Sequence, residues 1–222
     1  MKLKKKIKGY FNMLTLDDLP VFSRDSIKLR DKSTILIIDD EPIPYVEPLR
    51  KMGFKIDVNK QWQSVKDVDP YNIVISDNKG VTNVLGGNFD GITMLEQARK
   101  IYPEKTFALY SANYIDIRNR SLSGFKILKK GDGIDSWIEI LDDAVQKFHD
   151  PKEYWKLIQT ILQEQKLTES EIRKYQSKFV YSLITGKKKI SESNSKLTAE
   201  TLSIILRIAS LALNTIKILP TL

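Results

Sequence analysis

Between Ser33 and His149 the chain changes its hydrophobic period repeatedly, and this alternation constrains the fold more than any other feature. Five short runs are rich in β-branched and aromatic residues: "TILIID" (34–39), "FKIDV" (54–58), "NIVIS" (72–76), "TFALYS" (106–111) and "FKILK" (125–129). Helix-period segments fit near 45–52, 61–68, 91–102, 114–121 and 134–148. A strand that returns through a helix cannot pair as a hairpin, so five βα units imply a parallel sheet with helices on both faces. The first, third and fourth runs are almost wholly apolar, as central strands covered on both faces should be. The second alternates and carries Lys55 and Asp57, which suits an edge.

After Asp150-Pro151 the strand signals stop. Proline suits a first helical turn, and helices are predicted over 151–165 and 168–184, the second opened by the capping-box pattern Thr168…Glu171. A polar loop follows Gly186, and a last helix spans 198–219. Its polar residues Ser203, Arg207, Ser210, Asn214 and Lys217 trace one narrow stripe, and the rest is apolar. Arg207 and Lys217 interrupt the run that a spanning helix wants. The reading is therefore burial in a helical hairpin or an oligomer seam through Leu202, Ile205, Ala209, Leu213 and Ile216, with membrane-surface binding as the alternative. A second copy of the chain is the expected cover, because two short helices offer limited apolar area.

Three segments result: a basic extension (1–32), the α/β domain (33–149) and a helical extension (150–222) for output or oligomerisation. They carry net charges of +5, −2 and +5. The basic ends could meet anionic partners. Nucleic acid is disfavoured, because the last helix is too apolar to be a recognition helix and no helix-turn-helix spacing occurs. The chain has no cysteine and one histidine, His149, which excludes disulfide scaffolds, thiolate zinc sites and multi-histidine metal centres. The basic first residues are not followed by a continuous apolar stretch, so the chain reads as cytoplasmic.

In an open parallel sheet the functional site lies beyond the carboxyl ends of the strands. Strand one ends in Asp39-Asp40-Glu41, strand three in Asp77, strand four in Ser111 and strand five in Lys129. Carboxylates brought that close need compensation, and a hard cation with oxygen ligands, Mg²⁺, together with a lysine supplies it. Each residue also has a plainer explanation. Asp39 and Asp40 could cap the following helix, and Asp77 could be a turn aspartate.

The motifs "ILIIDDEP", "IVISD", "DGITMLEQARKIYP", "ALYSA" and "FKILKK" occur in the order found in the receiver domain of response regulators, which residues 34–148 resemble. The resemblance implies a flavodoxin-like, doubly wound five-stranded sheet, with Asp77 as phosphoacceptor and Asp39 and Asp40 holding Mg²⁺ with it. It implies Ser111 as the hydroxyl that turns toward the phosphoryl group, Lys129 as its lysine partner, and a histidine kinase or other phosphodonor protein as partner. An Asp-x-Asp phosphatase is excluded, because Lys79 stands two residues beyond Asp77. The sequence departs from the pattern in several places. A long loop, "NKGVTNVLGGNFDG", follows Asp77; Pro44 and Pro48 shorten the first helix; Lys130 replaces the usual proline; and Lys126 falls at the switch aromatic, beside Phe125. The expected function is Mg²⁺-dependent phosphorylation of Asp77 switching a helical output, with some self-catalysed hydrolysis and no metabolic activity. The alternative is a pseudo-receiver that binds and scaffolds without phosphorylation.

Overall fold

The computed structural model describes residues 14–21, 25–82, 89–112, 125–187, 190 and 196–218. The chain divides into two compact units, one of residues 25–148 and one combining 149–222 with 1–24.

The first unit is a five-stranded parallel sheet of β1 (Thr34–Ile38), β2 (Lys55–Asn59), β3 (Ile73–Asp77), β4 (Thr106–Ser111) and β5 (Lys126–Lys129). Their order, β2-β1-β3-β4-β5, is the doubly wound arrangement expected, with β2 at the edge. Strand order reverses between β1 and β3, and that switch point is where a crevice opens beyond the strand ends. The helices are α1 (Ser26–Leu29), α2 (Val46–Lys51), α3 (Gly91–Ile101) and α4 (Ile134–Phe148). One face of the sheet buries Leu36, Ile38, Val74, Phe107 and Leu109 with Trp62 and the Ile92, Leu95 and Ala98 face of α3. The helix expected over 61–68 is shorter than foreseen: it is a single 3₁₀ turn, Val65–Val68, opened by a capping box from Ser64 and Asp67. Trp62, fully buried, fills space beside it. The weak helix expected over 114–121 lies outside the described residues.

Residues 25–32 belong to this unit rather than to a separate extension. Asp25 caps α1 by accepting from the Ile27 amide. Arg30 forks onto Asp142 of α4 at 2.8 and 2.7 Å, donates to the Met52 carbonyl and lies 4.5 Å from the Phe54 ring centroid. A bidentate guanidinium–carboxylate pair that is mostly buried has the geometry in which an ion pair stabilises.

The second unit contains α5 (Pro151–Glu164), α6 (Glu169–Thr185) and α7 (Ala199–Ile218). Pro151 occupies the first turn of α5, and Thr168 and Glu171 form the reciprocal capping box on α6. The three helices pack on one another around Tyr154, Trp155, Ile158 and Leu162, Tyr175, Phe179 and Leu183, and Ile205, Ile208 and Ala212. Of the seam expected on α7, Ile205 and Leu213 are buried, whereas Leu202, Ala209 and Ile216 are half-buried. The most buried stripe of α7 packs on α5 and α6 of the same chain, and within this unit the indole of Trp155 and the ring of Phe179 lie 5.6 Å apart between centroids. Residues 14–18 join this unit: the Leu14 amide donates to Ser177 Oγ of α6 at 3.3 Å. By length and composition α7 could cross a membrane; its window from 199 to 217 has mean hydropathy 1.3 and is 28% buried.

Candidate functional site

Asp77 closes β3 and Asp39 follows β1, so neighbouring parallel strands deliver both carboxylates to the same end of the sheet. Both are buried, at 7% and 2% exposure, while Asp40 is exposed. Oxygens from Asp39, Asp40 and Asp77 all lie within 4.8 Å of one another. Burial raises the Asp39 pKa above the ordinary carboxylate range; the Glu41 amide bonding to it and Lys130 lower it, and the Asp77 charge raises it further.

One cation sits among these groups, and it is not the one expected. Lys130 Nζ donates to Asp77 Oδ2 at 2.6 Å and lies 3.4 Å from Asp39 Oδ2 and 3.7 Å from Glu41 Oε2. Lys129, assigned this place from sequence, has an exposed side chain and is in register with Ser111. The turn that ends β5 decides between them. Asp132 accepts from the Lys129 amide and donates its own amide to the Lys129 carbonyl, while the Lys130 amide donates to the Ser111 carbonyl at 3.0 Å. Lys130 thus continues one step past the strand, and its side chain returns over the strand ends. Burial lowers its pKa, but the hydrogen bond and charge of Asp77, with the charge of Asp39, outweigh this and hold it above the ordinary lysine value. Its ammonium also stands 5.2 Å from the Tyr110 ring centroid. Two adjacent lysines before a Gly-Asp-Gly turn were the available signal, and periodicity alone could not rank them.

Ser111 ends β4 and is buried, beside β3 in the sheet. Asn78 then ties the Asp77 segment to α3: its carbonyl accepts the Gly91 amide at 2.9 Å, and its side chain accepts the Ile92 amide. Any side chain at Gly91 would overlap the Asp77 carbonyl oxygen, so a glycine is required where helix start and strand end meet. Asp90 caps α3 through the Thr93 amide and hydroxyl. The Asn78 amide donates to Asp77 Oδ1 at 2.6 Å.

The donor set fits a hard divalent cation: three carboxylates, no sulfur or imidazole, and one buried oxygen, Asp39 Oδ2, with no hydrogen-bond partner at its 3.4 Å ion-pair separation from Lys130.

No protein-family model matches the chain, and no curated protein does. Solved structures do. A response regulator receiver domain protein from Clostridium thermocellum is 19% identical over 51% of this chain and 94% of its own, with a TM-score of 0.40. A response regulator receiver protein from Sinorhizobium medicae is 19% identical over 51% and 96%, at 0.42. Full-length FixJ from B. japonicum is 16% identical over 82% and 97%, at 0.44. The α/β unit resembles response-regulator receiver domains. Its own strand order, read without these neighbours, is that of a flavodoxin-like sheet.

Proposed function

We propose that the chain is a phosphoacceptor signalling protein in which Asp77 receives a phosphoryl group from a histidine kinase or another phosphodonor, acting in the cytoplasm. The observation that supports this most is the meeting of Asp39, Asp40 and Asp77 oxygens within 4.8 Å, with the Lys130 ammonium 2.6 Å from Asp77. In the transfer an Asp77 oxygen forms the new P–O bond while the bond from phosphorus to the donor breaks, and the donor keeps that electron pair and takes up a proton. Asp39, Asp40 and Asp77 would hold Mg²⁺, which supplies charge neutralisation for the incoming phosphoryl group. Lys130 takes the role first assigned to Lys129, placing a fixed positive charge beside the acceptor oxygen. Ser111 would donate its hydroxyl to the added oxygens, and the helical unit would act as output and as the site of self-association.

Incubation with acetyl phosphate and Mg²⁺ tests the reading. One phosphoryl group by intact mass, lost in Asp77→Asn, is expected; no mass gain with any donor or kinase sinks it. A second reading, a binding module without phosphorylation, draws on the engagement of both Asp77 oxygens, one by the Asn78 amide and one by Lys130. There Lys130 would stand permanently where a metal ion otherwise neutralises the cluster, and neither Mg²⁺ nor donor would change the protein.

A further inference from the structure

The segment leaving β3 is held at several points before it reaches α3. Asn78 is bonded to the first turn of α3. Val81 is fully buried, and its carbonyl accepts the Trp62 amide at 2.7 Å. Trp62 in turn donates its indole N–H to Ser76 Oγ at 2.9 Å, and that hydroxyl donates to the Asp77 carbonyl at 2.8 Å. Thr82 Oγ1 donates to the Phe89 carbonyl at 2.7 Å. Backbone fixed on both sides of residue 80 has little room to retreat.

Gly80 lies between these anchors with φ +78°, and it passes directly across the Asp40 carboxylate. A Cβ built at residue 80 would sit 2.6 Å from Asp40 Cγ and closer still to Oδ2. Such a contact is relieved by rotating the exposed Asp40 carboxylate out of the cluster, since the backbone near residue 80 is hydrogen-bonded on both sides. We propose that Gly80 is a positioning residue for the cation site: the bare backbone there lets Asp40 share one small volume with Asp39 and Asp77. This rests on the proposed function for what occupies the site; the packing of Gly80 on Asp40 does not. It gives the long loop after Asp77 a part in the chemistry, since the clasp that holds the loop base also sets the position of one carboxylate.

Four proteins test it: wild type, Gly80→Ala, Asp40→Ala and the double variant. Mg²⁺ affinity is read by titration calorimetry, and stability by urea unfolding in chelator. Gly80→Ala should weaken Mg²⁺ binding about tenfold or more in the wild-type background and cause no further loss in Asp40→Ala. In chelator, the left-handed strain of alanine at residue 80 is common to both backgrounds and cancels in the cycle, so any difference between the two stability changes reports the coupling of residue 80 to Asp40. If Gly80→Ala alone fails to fold, recovery of folding in the double variant supports the proposal, and no recovery overturns it. Wild-type Mg²⁺ affinity in Gly80→Ala, or equal losses in both backgrounds, also overturns it. A wild-type protein that binds no Mg²⁺ overturns the proposed function and the cation half of this inference, while the cycle in chelator still decides whether Gly80 acts through Asp40.

Discussion

The two units treat charge in opposite ways. Residues 25–148 hold 18 basic and 19 acidic side chains, yet they concentrate three carboxylates at one end of a sheet, two of them buried. The remaining residues hold 18 basic and 9 acidic side chains, while the helices there close on aromatic and aliphatic groups. Near neutrality overall thus hides a local cluster of like charges, and a strong net charge accompanies an ordinary apolar core. Local geometry, not net charge, decides where electrostatics work against the fold.

The largest expected effect lies in the helical unit. Phe179 is fully buried against Trp155, so Phe179→Ala should cost about 3 to 5 kcal/mol through lost transfer energy and a residual cavity. Urea unfolding by far-UV circular dichroism should show an early transition, with the Mg²⁺ response of the α/β unit retained. Loss of both together would erase the comparison.

Acid should push the two units in opposite directions. His149, in the helical unit, is buried, which pulls its pKa down from 6.5 to about 4. The unfolded chain therefore takes up a proton first, and stability is lost as pH falls from about 6.5 to about 4, on the order of 3 kcal/mol when complete. Asp39 has a raised pKa, so its ionisation opposes folding above that pKa and the opposition is relieved as pH falls through it. Hydrogen exchange at neutral and mildly acidic pH should show protection falling in α5–α7 while β1 and β3 hold or gain. Mg²⁺ binding should weaken as pH falls through the raised Asp39 pKa, because the cation must displace the Asp39 proton.

The adjacent lysines sharpen the α/β side. Lys130→Met leaves Asp39 and Asp77 without their nearest positive charge and should cost about 1 to 3 kcal/mol in chelator. Lys129→Met, at an exposed side chain, should stay within about 0.5 kcal/mol. Only the first should slow phosphorylation, and a reversed pattern would restore the sequence assignment. The smallest effect belongs to the start of α6: Thr168→Ala removes the reciprocal cap and should cost about 1 kcal/mol, read as a small drop in urea midpoint with no change at the carboxylates.

Much of this was legible in the chain itself. Strand periodicity located all five strands to within a residue, and alternation in "FKIDV" marked the edge, because burial on one or two faces is written directly in side-chain polarity. Parallel strands end together, so acidic residues following "ILII" and "IVIS" had to meet at one end. Proline and capping residues located α5 and α6 for the same local reason. Tertiary structure alone decided the rest. Lys129 and Lys130 have the same chemistry, and only the turn closed by Asp132 sends one ammonium to Asp77 and leaves the other exposed. Residues 25–32 join the α/β unit through Arg30 and Asp142 of α4, 112 positions apart, a pairing no local pattern encodes. The clasp that lays Gly80 on Asp40 depends likewise on Trp62 reaching Val81. Local sequence specifies periodicity and caps because those energies arise within a few residues; which of two equivalent side chains enters a site depends on backbone paths that only long-range packing sets.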